Sequence, residues 1–353
     1  MWELNYNIHD LLTIKIRGNG FPDATKHLRY SYFQTDENID NPDISLNIGP
    51  FVPSNEGATS IAHKYWVKDN YFYCKEKGSR GKWEIEIFGF ETGKTVINFH
   101  GKNPGVKGLL FPTFMAQEFL IPFIEYKLAR KNCYLIHGGA VCRDDIGYIF
   151  TGRPGVWKTS LIMDLLRTNE YQFLGDDRII LKEDGSILCF PTSLFLFDFT
   201  LANTKTEQRS MSNNLNLVYR ILMNGTEQSP KNLIKKCLME KIVFISRFTD
   251  QNVQIRKTTP NEGLQKIIVN NMAEYIESTK KSPVGQFFTY VNIYSLIYPD
   301  TDLISHHYRI KEQLSQLISS IPLHAITLPF RYDRSAFDIV VNHIDLNPQL
   351  NDI

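Results

Sequence analysis

Tyr134 to Leu181 reads YLIHGGAVCRDDIGYIFTGRPGVWKTSLIMDLLRTNEYQFLGDDRIIL, and the order of patterns in it decides the fold. It predicts a strand, a tight turn, a second strand, a loop, a helix, and then a strand-bounded pair of carboxylates, with Arg143-Asp-Asp-Ile-Gly147 turning the first strand into a hairpin. The short apolar run Gly147 to Thr151 feeds into Gly152-Arg-Pro-Gly-Val-Trp-Lys-Thr159, after which Ser160 to Arg167 has helical spacing. A glycine-rich turn at a helix N-terminus points several backbone N–H groups into one small volume, where the helix dipole also favours negative charge. Phosphate groups settle in such a place. The motif assigns Lys158 to the β- and γ-phosphates and the Thr159 hydroxyl to Mg²⁺. The expected nucleotide contacts are Gly152, Arg153, Pro154, Gly155, Val156, Trp157, Lys158, Thr159 and Ser160.

One position breaks the pattern. The usual spacing, G-x-x-x-x-G-K-[ST], has a glycine directly before the lysine, and here that residue is Trp157. Its side chain either obstructs backbone approach to the phosphates or turns outward over the adenine or the helix flank. About one helix further on, Leu174-Gly-Asp-Asp-Arg178 places two adjacent acids at a strand edge. Such a pair suits phosphoryl transfer, since one acid can hold Mg²⁺ while the other accepts a hydroxyl proton. Read alone, Gly175-Asp176-Asp177 is also an ordinary polar turn. His137 carries the same ambiguity: a lone histidine in an apolar strand is usually a core or turn residue, and only Gly138 and Gly139 point to close backbone approach.

These residues resemble a known family. Leu135-Ile-His-Gly-Gly-Ala-Val141, the loop Gly152 to Ser160, Gly175-Asp-Asp177 and Leu188-Cys-Phe-Pro191 look like the nucleotide-binding core shared by HPr kinase/phosphorylase and the phosphoenolpyruvate carboxykinase type of P-loop protein. They look more closely like the HPr-kinase-related serine kinases of peptide-modification gene clusters. The resemblance covers residues 110 to 345 in general layout, with its specific motifs in the segments just quoted. It implies that His137 lies near the transferred phosphate, that Asp176 is the base and that Asp177 is a metal ligand. Oligomer formation is a further implication of the family. No match to the glycine-rich signature of true HPr kinases follows the acidic pair, which argues against HPr itself as acceptor.

Composition bounds the rest. The chain has 353 residues, 42% hydrophobic and 22% charged, which is ordinary for a folded protein and enough for two domains. The formal charge of +1 gives no global pull toward nucleic acid or acidic membrane. Lys231, Lys235, Lys236 and Lys241 form a local basic run that reads as the solvated face of a helix. The five cysteines are widely spaced with no C-x-x-C pair, the pattern of reduced thiols in a cytoplasmic protein. Met1 to Asn7 has neither a basic n-region nor an apolar h-region. The apolar segment Leu109 to Leu128 is interrupted by Pro112, Glu118, Pro122 and Glu125, so it reads as an amphipathic helix instead of a membrane span.

Residues 1 to 105 are expected to form a strand-rich N-terminal domain, with strands at Leu11–Arg17, Ile44–Ile48, His63–Val67, Tyr71–Cys74, Trp83–Phe90 and Lys94–His100. Trp83-Glu-Ile-Glu-Ile-Phe alternates with period two, which predicts one buried and one wet face. Gly101 to Gly105 is the linker candidate, and residues 106 to 353 form the HPr-kinase-like P-loop domain, opening on a helix from Thr113 to Arg130. Asp144 and Asp145 read as turn formers. The polar stretch Asn203 to Ser229, with Lys205, Glu207 and Arg209, is either a substrate-ordered lid or a solvated insertion, and Arg209 or Arg178 is a candidate for neutralising transition-state charge. Lys241–Ser246 and Val253–Thr258 are expected to pair with each other, followed by helices at Pro260–Tyr275, Gly285–Tyr298 and Asp302–Ile321. Phe287, Phe288, Tyr290 and Tyr294 read as core, Leu323–Leu328 as a last strand, and the tail from Arg331 as peripheral.

The expectation is therefore an α/β P-loop protein with ATP and Mg²⁺ as cofactors, acting on a hydroxyl such as a serine of a peptide or protein. The alternative is a non-catalytic nucleotide-binding module in which Trp157 has altered the loop. Asp176 separates the two, because a binding module has no need of a base.

Overall fold

A computed structural model of the chain describes residues 1–19, 30–78, 81–102, 119–153, 155–191, 232–248, 253–279, 283–330 and 334–345. The architecture is mixed α/β with two large sheets. The described residues gather into two compact units: those of Met1–Lys131 and Tyr275–Arg309 in one, those of Asn132–Thr192, Pro230–Glu274 and Ile310–Ile353 in the other. Pro154, Lys231 and the whole of Asn203 to Ser229, with Arg209, lie outside the described residues, as does most of the linker candidate.

The first unit holds a nine-stranded sheet. Its strands are β1 (Trp2–Ile8), β2 (Leu12–Gly18), β3 (Gln34–Thr35), β4 (Ile44–Ile48), β5 (Thr59–Ile61), β6 (Tyr65–Lys68), β7 (Tyr71–Gly78), β8 (Gly81–Phe88) and β9 (Thr95–Lys102). The spatial order is β3-β1-β2-β4-β9-β8-β7-β6-β5. Trp2, Leu4, Tyr6 and Ile8 alternate inward along β1, a strand absent from the sequence expectation. Gly101 and Lys102 extend β9 and so are not linker residues.

Strand β8 departs from its period. Glu86, placed by alternation on the wet face, is only 1% exposed. Its carboxylate accepts from the Tyr71 hydroxyl at 2.9 Å, the Ser54 amide at 2.6 Å and the Asn98 side chain at 2.8 Å. Three donors make that burial tolerable. Burial, and then the Glu86 carboxylate, push the Tyr71 phenol well above its usual range. Beside the sheet, Phe90 packs edge-on against Phe123 of helix α1 (119–129) and against Phe287. Phe287, Tyr290 and Tyr294 are core, as read from the sequence, whereas Phe288 is half-exposed.

The second unit is built on β10 (Cys133–His137), β11 (Gly139–Arg143), β12 (Ile146–Thr151), helix α2 (Lys158–Arg167), β13 (Gln172–Gly175), β14 (Arg178–Lys182), β15 (Ser186–Phe190) and β16 (Lys236–Arg247). Asp144 and Asp145 close the β11–β12 hairpin with φ of 53° and 64°, left-handed angles that Asp tolerates better than most residues. The order is β10-β14-β15-β16-β12-β11-β13. Strand β12 runs parallel to β16, with Thr151 opposite Phe244, so its C-terminal end opens directly into the loop before α2. Leu161, Ile162 and Leu165 bury one face of α2, each worth roughly 1.5–3 kcal/mol, and that anchors the helix on the sheet beside β11.

After β16 come β17 (Gln254–Lys257), helix α3 (Pro260–Thr279), helix α4 (Pro283–Ile297), helix α5 (Asp302–Ile318), β18 (Leu323–Leu328) and helix α6 (Arg334–Asp345). Two expectations fail here. The runs expected to pair with each other do not: β18 lies between them, parallel to β16 and antiparallel to β17. A buried apolar strand such as β16 needs an apolar neighbour, and Leu323–Leu328 outcompetes the nearer but polar Gln254–Lys257. The tail is not peripheral, because Ala336, Phe337 and Val340 are buried along one side of α6. Lys236 and Lys241 lie in strand β16, not on a helix face. All five cysteines are buried, and none of them forms a disulfide. Among the described residues, no helix is long and apolar enough to cross a membrane.

Helix α6 docks through a histidine pair. His343 Nε2 and His324 Nδ1 lie 2.8 Å apart, and His324 is 5% exposed. One neutral ring donates and the other accepts; two imidazoliums would both donate. Burial first, then His343, Lys241 and Lys257, lower the His324 pKa from 6.5 to about 4. A folded pKa below the unfolded one means the unfolded chain binds more protons between these values, so stability is complete above pH 6.5 and is lost as pH falls toward 4. The urea midpoint should accordingly drop between pH 7 and pH 5, and His324→Gln should flatten that drop.

Candidate functional site

The end of β12, the loop that follows it and the first turn of α2 meet the ends of β10, β13 and β14 in one place. Gly139 makes this convergence feasible. A Cβ there would lie 2.9 Å from both Asp176 Cα and the Gly175 carbonyl oxygen, and would overlap Ile162 Cδ1. Gly152 is pressed against the Ile245 carbonyl of β16 in the same way. Gly139→Ala should therefore cost roughly 1–3 kcal/mol, because backbone atoms on the acid turn cannot yield as a side-chain tip does; urea unfolding of the variant checks it.

Lys158 is the first residue of α2 and 7% exposed. Its ammonium folds back onto the loop, donating to the Gly152 carbonyl oxygen and to that of Arg153 at 3.3 Å. His137 Nε2 lies 3.5 Å from the same nitrogen. On the other side of the imidazole, Nδ1 is 3.6 Å from Asp177 Oδ1, and Asp177 Oδ2 accepts from Arg178 at 2.6 Å. Lysine, histidine, aspartate and arginine thus form one row across the strand ends. The two His137 ring contacts are longer than a well-formed hydrogen bond.

The backbone of His137 is held more firmly than its ring. Its N–H donates to Asn271 Oδ1 at 2.8 Å, and Asn271 Nδ2 donates to the Leu135 carbonyl at 3.0 Å. Strand β10 is an edge strand, and the Asn271 amide from α3 occupies its open hydrogen-bonding groups as a further strand would. The His137 carbonyl accepts from Thr151 Oγ1 at 2.8 Å, and Asn270 in turn donates to that oxygen at 3.2 Å. Neither asparagine figured among the expected site residues. Their only signal was an Asn-Asn pair inside a helix, where asparagine is a poor former.

The two acids form a turn beside the row. Gly138 N–H donates to the Asp177 carbonyl at 3.0 Å, which ties the acid turn to the β10–β11 corner, while both carboxylates stay half-exposed. Of the expected nucleotide contacts, Gly152, Val156 and Lys158 are buried, Trp157, Thr159 and Ser160 are half-buried, and Arg153 and Gly155 are exposed.

Trp157 has φ 71° and ψ 16°, the left-handed region, and caps α2 without a side-chain hydrogen bond. For a residue with a Cβ this conformation costs about 1–2 kcal/mol. Its indole lies against Arg247, whose guanidinium carbon is 5.0 Å from the ring centroid. Nothing local in the sequence pointed to Arg247.

The donor set near the loop fits magnesium. Thr159 offers a hydroxyl and Asp177 or Asp176 a carboxylate, hard oxygen ligands of the kind Mg²⁺ takes together with substrate phosphates. Among the described residues, no group of three or more His, Cys, Asp or Glu is arranged to hold a metal ion.

No protein-family model matches the chain, and no curated protein matches it. Among solved structures it is similar to the Hpr(Ser) kinase/phosphatase from Coxiella burnetii, at 12% identity and a TM-score of 0.24, over 60% of this chain and 90% of that one. So low a likeness leaves both fold and chemistry to rest on the residues themselves.

Proposed function

We propose that the chain is an ATP-dependent kinase that phosphorylates a hydroxyl, a serine of a peptide or protein. The observation that carries this reading is the row Asp177–His137–Lys158 at the mouth of a strand–loop–helix turn, with Lys158 folded onto the loop carbonyls where phosphate oxygens would replace them. In this reading the loop amides and Lys158 hold the nucleotide phosphates, and His137 stands beside the transferred group. Thr159 and Asp177 hold Mg²⁺, which when bound neutralises phosphate charge. Asp177 suits that task because Arg178 fixes one oxygen of its carboxylate, while the other faces the His137 ring at 3.6 Å. Asp176 is left to accept the hydroxyl proton. Phosphoryl transfer depends chiefly on positioning and charge neutralisation, which is what such a constellation supplies.

Calorimetry with magnesium-loaded ATP tests the reading. Micromolar binding is the expected result, and no binding at millimolar nucleotide would overturn it. One observation favours the second reading, a non-catalytic nucleotide-binding module: the left-handed backbone at Trp157 where glycine is usual. Under that reading the nucleotide binds, yet no phosphate is ever transferred or released.

A further inference from the structure

A left-handed turn at a residue carrying a large side chain persists only where its surroundings over-determine it. At Trp157 the neighbouring strand supplies part of those surroundings. Arg247 is the last residue of β16, which runs parallel to β12, so the same sheet that launches the loop also delivers Arg247 beside it. Its guanidinium lies 5.0 Å from the Trp157 ring centroid and 4.1 Å from that of Phe330, and Nη1 donates to the Gly155 carbonyl at 3.4 Å. Arg247 Nε is buried and has no hydrogen-bond partner among the described residues. No carboxylate among them pairs with Arg247 either. Phe330 is 57% exposed, an aromatic ring kept at the surface over a cation. An arginine held by two rings and a loop carbonyl, and by no acid, is placed to fix the ring and the loop.

We propose that Arg247, stacked on Phe330, is a positioning residue that locks the phosphate loop in its left-handed turn at Trp157, replacing the conformational freedom of the missing glycine. The lock acts through Trp157 and Gly155 and does not touch substrate. Its consequence for nucleotide affinity rests on the kinase reading above; the lock itself does not.

Native-state hydrogen exchange of the full chain, without nucleotide, reads the lock directly over residues 155–161. Cation–π contacts of this strength predict that Arg247→Ala speeds exchange about two- to fivefold in the natural background. Phe330→Ala, which removes an exposed ring and leaves the core alone, should act in the same direction with a smaller effect. In a Trp157→Gly background Arg247→Ala should have a much smaller effect, because glycine holds the turn and only the Gly155 hydrogen bond is left to lose. No acceleration in the natural background overturns the proposal, and so does an equal acceleration in both backgrounds, which would mark Arg247 as generally structural. Magnesium-ATP calorimetry is the second arm: Arg247→Ala should weaken binding about fivefold with Trp157 present and less than about twofold in the Trp157→Gly background. If the natural protein binds no nucleotide, the kinase reading fails while the exchange arm still decides the lock.

Discussion

Lys158→Ala is expected to weaken magnesium-ATP binding at least about a hundredfold, because the variant loses a buried ammonium that, in the proposed kinase, would make charge-assisted contacts to two phosphates, worth roughly 3 kcal/mol together. Phosphate transfer should fall below detection. The fold should survive, since the hydrogen bonds of the lysine to the Gly152 and Arg153 carbonyls lie within the loop itself. Calorimetry together with urea unfolding separates the two effects: lost binding with a nearly unchanged midpoint is the expected pair. Retained affinity would remove the loop from the nucleotide site.

Asp176→Asn carries the second large effect. If Asp176 accepts the hydroxyl proton, the amide should lower kcat about 10²- to 10⁴-fold and leave ATP affinity within a few-fold of the natural protein. Basal release of phosphate from ATP, in which water stands in for the unidentified acceptor, gives the first measurement, and transfer to serine peptides the next. An unchanged rate would shift the base role to Asp177 or to neither acid. Loss of affinity without loss of rate would place Asp176 on the metal instead.

Much of this site was legible because its parts are local. The strand, loop and helix from Gly147 to Arg167 occupy consecutive residues, and hydrophobic periodicity with glycine placement reports such elements well. The turn at Asp144 and Asp145 was legible for the same reason, since two short side chains that accept left-handed angles stand between two apolar runs. Periodicity failed where a third element intervened. Glu86 falls on the face that alternation marks as wet and is nonetheless buried, because Ser54, Tyr71 and Asn98 converge on it from other strands and a loop. The expected pairing of β16 with β17 failed likewise, because chain proximity does not rank competing partners.

By itself the sequence determined the candidate residues of the site, His137, Lys158, Thr159 and the two acids, and the order of elements that carries them. Only the tertiary structure decided how they stand to one another: His137 between Lys158 and Asp177, Asn271 completing an edge strand, and Arg247 with Phe330 bracing Trp157. The physical reason is range. Backbone conformation follows from neighbours a few residues apart, whereas hydrogen bonds and ring contacts between side chains depend on which distant strands share a sheet, and no local pattern encodes that.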